Sequence, residues 1–256
     1  MTVATDVVGR GPHLTMLHGW GLNGAVFNDV RDALAQRYTL HIVDLPGHGR
    51  AQIENITTLA AMVDAVASAM PKKSHVLGWS LGGQVALELA RRYAQRVDKL
   101  VLVATTPCFL QRENWPHAVL PAVLADFGAR LSNNYAATIK SFLALQVLNQ
   151  PNMRNTMTKL QQALTARGGV DPAALKAGLT ILETTDLREQ LQNVSQPSLV
   201  LQGDHDALTP EPAGRWLASH LRDARYVMLA HAAHAPFLSH RDAFLNELNI
   251  FLSHEH

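Results

Sequence analysis

One cysteine stands in 256 residues, and a single thiol allows neither an internal disulfide nor a multi-cysteine metal site. Net charge is equally thin. The 22 Lys and Arg against 21 Asp and Glu leave +1, which gives no general attraction to nucleic acid or to an anionic membrane. No apolar run approaches the ~20 residues that span a bilayer. Met1-Thr2-Val3-Ala4-Thr5-Asp6 carries neither the basic nor the apolar segment of a secretory signal. The expectation is a soluble cytoplasmic protein. Thirteen histidines are more than usual, but their spacing follows no metal motif: His231 and His234 have no third ligand in a recognisable pattern. They read as scattered core and surface residues, with no metal site. The closing Ser253-His254-Glu255-His256 reads as a frayed end.

What is present is the composition of a packed domain, with 47% hydrophobic and 17% charged residues, long enough for one α/β core with an insertion. Short β-rich runs alternate with helical stretches. Strands are expected at His13–Leu17, Thr39–Val43, Ser74–Leu77, Leu100–Ala104, Ser198–Gln202 and Arg225–Leu229. Several are apolar on both faces, the pattern of a parallel sheet covered on each side by helices. Helices are expected at Leu59–Met70, after Ser80, and at Asp242–Leu252. Between about Arg112 and Leu187 the strand signal disappears. Helices are expected there at Val119–Leu131, Tyr135–Val147, Met153–Arg167 and Pro172–Leu182, the last announced by Asp171-Pro172 as N-cap and first residue. The expected organisation is a core in two parts, residues 1–111 and 188–256, with a helical cap over 112–187 above the carboxyl ends of the strands, where open α/β sheets bind ligands.

Gly78-Trp79-Ser80-Leu81-Gly82 lies between a strand and a helix, the context of a G-x-S-x-G nucleophile elbow. A serine hydroxyl needs a base, and the base needs a third group to hold its tautomer. Both partners follow in the order that this fold uses. Gly203-Asp204-His205-Asp206 comes after one late strand and Ala233-His234-Ala235-Pro236 after the next. His234 is read as the base and Asp206 as its orienter, with His231 and Asp204 as rivals. The oxyanion hole is expected from the backbone N–H of Leu81 and from the N–H of Trp20 in His18-Gly19-Trp20-Gly21. Asp44-Leu45-Pro46-Gly47-His48-Gly49 is read as shaping the core, and Cys108 as a small buried residue.

These motifs carry a resemblance. His18-Gly19-Trp20-Gly21-Leu22-Asn23, Val43-Asp44-Leu45-Pro46-Gly47, Leu77 to Gly83, Phe142-Leu143-Ala144-Leu145-Gln146 and Ala232 to Phe237 together resemble the biotin-synthesis carboxylesterases of the α/β-hydrolase superfamily, over nearly the whole chain. The resemblance implies hydrolysis of the methyl ester of pimeloyl-acyl carrier protein through an acyl-enzyme on Ser80, with no cofactor, in a monomer. It also implies a substrate site at Trp20, Ser80, Leu81, Phe142, Leu143, Ala144, Leu145, Gln146 and His234. The residues themselves fit that in part: Phe142, Leu143 and Leu145 suit a narrow channel for a polymethylene chain. Cap basic residues would dock the acidic carrier protein; Lys140, Arg154 and Lys159 are the candidates here, with Arg167 also in the cap. Ala137 and Ser141 stand where the family can carry arginine. Two other readings stay open at this point: a general short-chain carboxylesterase or carbon–carbon bond hydrolase of the same superfamily, and a hydrolase-like receptor for a small ligand.

Overall fold

The computed structural model describes residues 3–52 and 56–253, so the expected frayed end lies, from 254 on, outside the described residues. Seven strands form one sheet: β1 (Ala4–Gly9), β2 (His13–Leu17), β3 (Thr39–Asp44), β4 (Ser74–Trp79), β5 (Val97–Val103), β6 (Ser198–Gly203) and β7 (Ala224–Leu229). Their order is β1-β3-β2-β4-β5-β6-β7. Every pairing is parallel except β1 with β3. The inner strands are buried along almost their whole length, as apolar runs require when helices cover both faces.

The helices are α1 (Asn28–Ala35), α2 (Leu59–Ala69), α3 (Leu81–Arg92), α4 (Pro121–Asn133), α5 (Tyr135–Leu145), α6 (Met153–Thr165), α7 (Pro172–Thr184), α8 (Glu211–His220), α9 (Pro236–Ser239) and α10 (Arg241–Ser253). Four of them, α4 to α7, fall between β5 and β6 and form an all-helical insertion. No helix among the described residues is long and apolar enough to cross a membrane.

Four strands and helices carry no mark in the sequence reading, one of them α9, a single turn of four residues. β1 is an antiparallel edge strand with Val7 62% exposed, so it lacks the apolar run that betrays an inner strand. α1 buries only Val30 and Leu34, and α8 only Ala213, Gly214 and Leu217. Boundaries also move. α4 starts at Pro121 rather than Val119, because proline fits the first helical turn and not the interior. α6 stops at Thr165, three residues short of Gly168, where φ is +93°.

Candidate active site

The turn between β4 and α3 holds Ser80 at φ 56°, ψ −120°, a region that a residue with a side chain visits at a cost of about 1–3 kcal/mol. Its neighbours make the turn possible. A Cβ on Gly82 would lie 2.3 Å from the Leu17 carbonyl oxygen, and one on Gly78 2.3 Å from the Gly82 carbonyl oxygen. The Ser80 backbone is fixed on both sides. Its N–H donates to Val103 O at 3.0 Å, and its carbonyl accepts from Thr105 Oγ1 at 2.7 Å and from the Gly83 N–H at 2.9 Å.

The loops after β6 and β7 bring two side chains to this serine. Ser80 Oγ is 2.9 Å from His234 Nε2, and His234 Nδ1 is 2.8 Å from Asp206 Oδ2. Both His234 and Asp206 are buried. Asp206 is gripped by the turn that follows it: Oδ1 accepts from the N–H groups of Leu208 and Thr209 at 2.9 and 3.0 Å. Oδ2 accepts from Thr209 Oγ1 at 2.7 Å and Gln202 Nε2 at 3.0 Å. His234 is held through its backbone, whose carbonyl accepts from Trp79 Nε1 at 2.7 Å and whose N–H donates to the Gln146 carbonyl at 3.2 Å. Sequence reasoning missed Thr209, Gln202 and Trp79 as supports. Only the Asp-x-x-Thr spacing, an Asx turn in the making, carries a signal for them. The rivals stand apart: Asp204 and His231 are exposed and take no part in this hydrogen-bonded chain.

The loop after β2 comes against the serine. A Cβ on Gly19 would be 3.1 Å from Ser80 Cβ, so glycine is what lets Trp20 approach. His18 sets that loop. Its Nδ1–H donates to the Gly19 carbonyl at 2.8 Å, while Nε2 accepts from the Leu45 N–H at 2.9 Å. A peptide's C=O and N–H point in opposite directions, so holding the Gly19 carbonyl turns the Trp20 N–H away from His18. Burial, with the neighbouring His48 adding to it, drives His18 down to about 3, so it stays in the neutral form that both bonds need. Burial likewise takes His48 down to about 4. Leu81 is the first residue of α3, where backbone N–H groups have no intrahelical acceptor.

The helical insertion closes over these loops. The Trp20 indole N–H donates to the Leu175 carbonyl at 2.9 Å, and its ring packs edge-on against Phe142 and Phe127, centroids 4.9 and 5.5 Å away. The segment from Phe142 to Gln146 divides by helical phase. Phe142 is half-buried, Leu143 and Gln146 are buried, and Ala144 and Leu145 face outward, Leu145 being 40% exposed. The Gln146 amide is fully buried, and neither its Oε1 nor its Nε2 meets a protein partner among the described residues. A cleft of about 660 Å³ opens between α4 and α7, lined by Leu124, Leu131, Tyr135, Leu175 and Leu179 with Lys176 and Glu183 also on its wall; neither Ser80 nor Trp20 lines it.

The basic residues of the insertion divide too. Lys140 and Arg154 are exposed. Lys159 pairs with Asp29 of α1 at 2.9 Å. Arg167 is nearly buried between Asp44, at 2.8 Å, and Asp6. Burial alone would raise Asp44, but the Gly24 N–H and the Arg167 and Arg50 guanidiniums hold its carboxyl below the usual range. Cys108 is fully buried, and that burial pushes its thiol up, away from reactivity.

Residues 12–241 match the alpha/beta hydrolase fold family. Among solved structures, an esterase from Exiguobacterium antarcticum superposes with a TM-score of 0.87 at 19% identity, covering 98% of this chain and 96% of that one; this likeness concerns the fold. The pimeloyl-[acyl-carrier protein] methyl ester esterase of Nitrosomonas europaea is 41% identical over 245 residues, 96% of this chain and 97% of that protein. The protein of the same name from Aeromonas hydrophila subsp. hydrophila is 40% identical over 254 residues, 98% of this chain and 100% of that one. The chain therefore belongs to the alpha/beta hydrolase fold family and, within it, to the pimeloyl-[acyl-carrier protein] methyl ester esterases.

Proposed function

We propose that this esterase hydrolyses the methyl ester of pimeloyl-acyl carrier protein, releasing methanol and the free terminal carboxylate. The observation that carries the chemistry is the unbroken chain Ser80 Oγ–His234–Asp206, with links of 2.9 and 2.8 Å. Asp206 accepts a hydrogen bond from the Nδ1–H, which stays on the imidazole, and so leaves the Nε2 lone pair free to take the Ser80 proton. Ser80 then attacks the ester carbonyl. The oxyanion receives the N–H groups of Leu81 and Trp20, each donor worth about 3–4 kcal/mol at the transition state. His234 returns its proton to the departing methoxide. Water, deprotonated by the same imidazole, cleaves the acyl-enzyme in a second passage through the oxyanion.

The relatives' name supplies the substrate class, and the helical insertion, taken as a cap over residues 112–187, supplies its fit. Phe142, whose ring meets that of Trp20, and the buried Leu143 beside it offer apolar surface for the polymethylene chain. The buried, unpaired Gln146 amide offers the polar partner for an ester or thioester carbonyl, since a buried amide without one costs about 1–3 kcal/mol. Lys140 and Arg154 present free positive charge for the carrier protein, whereas the charge of Lys159 is shared with Asp29. The enzyme acts in the cytoplasm as a monomer without a cofactor.

The test is hydrolysis of pimeloyl-acyl carrier protein methyl ester beside p-nitrophenyl butyrate, with Ser80→Ala as control. The expected result is a far higher kcat/KM for the carrier-linked ester, abolished by Ser80→Ala. Turnover of the small ester alone would move the function to a general carboxylesterase. Lys140→Glu with Arg154→Glu should raise KM for the carrier-linked ester and spare the small one; equal loss on both would remove these residues from docking.

A further inference from the structure

Asp204, His205 and His231 each bring one potential ligand atom to within 4.8 Å of the others. They come from two loops that follow adjacent strands, for Gly203 of β6 is in register with Leu229 of β7. The spacing in sequence hid them, because the third ligand to go with His231 comes from a different loop.

His205 is already oriented as a ligand. Its Nδ1 lies 2.6 Å from the Asn149 carbonyl oxygen, which can only accept, so Nδ1 carries the proton and Nε2 keeps the lone pair. That outer bond is the one which usually fixes the tautomer and the ring direction of a metal-bound imidazole. The His205 N–H donates to the Ala232 carbonyl at 3.0 Å, tying its loop to that of His231. His231 itself takes a left-handed φ of 62°, and its ring meets that of His205 at a centroid distance of 5.4 Å. Nearby His240 does not bring a ring nitrogen into this group of ligand atoms.

Two imidazoles and one carboxylate form a donor set for zinc, nickel or copper; calcium and magnesium prefer all-oxygen shells. Asp204 and His231 are exposed, so water can complete the coordination.

We propose that Asp204, His205 and His231 form a site for one divalent transition-metal ion, which tethers the loop carrying Asp206 to the loop carrying His234. Nothing in this inference depends on the ester substrate. It is tested by isothermal titration of the metal-free protein with ZnCl₂, alongside thermal melts with and without zinc. Asp204→Asn and His231→Gln are the variants, both at exposed positions and both checked by circular dichroism. The expected result is one zinc bound per wild-type chain with a raised Tm. Each variant should lose at least about tenfold in affinity, along with the rise in Tm. MgCl₂ should give neither effect. Absence of zinc binding by the wild type, or undiminished binding and Tm rise in both variants, would overturn the proposal.

Discussion

The two flanks of the helical insertion are held to the core by different physics. The flank made by α6, α7 and the turn between them is bolted down by polar contacts. Arg167 reaches Asp44 and Asp6, Lys159 reaches Asp29, and Asn23 Nδ2 donates to the Ala163 carbonyl at 2.9 Å. Backbone bonds join Gly49 N to Gly169 O and Asp171 N to Gly47 O, at 2.7 and 3.0 Å. The α4 flank has no buried residue of its own, and Leu120 and Val123 beside the cleft are more than half exposed. One side therefore behaves as part of the core, and the other rests on α5, α7 and the Trp20 ring chiefly by apolar contact among the described residues. The loop carrying Trp20 shares the polar-anchored side: Asp44, which anchors Arg167, directly precedes Leu45, whose N–H holds His18.

The comparison breaks most severely at Arg167. Arg167→Ala leaves the Asp44 carboxylate buried with Arg50 as its remaining cation, and removing one member of a buried pair costs about 3–5 kcal/mol. Urea unfolding should read that loss, with a parallel fall in esterase kcat as the Trp20 loop loosens. Mild acid should attack the same flank. His18 and His48 are held near 3 and 4, below their ordinary 6.5, so between about pH 6.5 and 4 the unfolded chain binds protons that the folded one refuses. Stability is full above that window and falls as pH drops through it, by about 1.4 kcal/mol per pH unit for each histidine. Unfolding free energies from urea titrations at pH 7 and 5 should therefore differ by on the order of 4 kcal/mol; equal values would contradict burial of both rings in neutral form. Lys159→Ala, which removes a partly exposed pair, should cost only about 0.2–1 kcal/mol. Val123→Ala on α4 should change stability by no more than about 0.5 kcal/mol. If Val123→Ala matched Arg167→Ala, the contrast between the flanks would be wrong.

The residues that form the Ser80–His234–Asp206 hydrogen-bonded chain were largely legible in the sequence. Gly-x-Ser-x-Gly, the acid loop and the histidine loop each follow a strand, and local turn chemistry marks them. The inner strands were legible for a similar reason, being apolar on both faces. What stayed hidden depends on contacts distant in sequence or on half-buried surfaces. Arg167 looks like any cap arginine until the fold carries it to Asp44. Asp204, His205 and His231 look scattered until two loops meet. β1 lacks the apolar run of an inner strand, and α1 and α8 are short helices with only two or three buried residues each. Leu145, expected in the channel with Phe142 and Leu143, is on the outward side of the same helical turn.

The most direct test of the account is labelling by a fluorophosphonate, with the modified peptide identified by mass spectrometry and rates compared in wild type, His234→Ala and Asp206→Asn. The account predicts a single adduct on Ser80, formed rapidly in the wild type and orders of magnitude more slowly in both variants. An adduct at another residue, or a Ser80 labelling rate indifferent to His234, would contradict it.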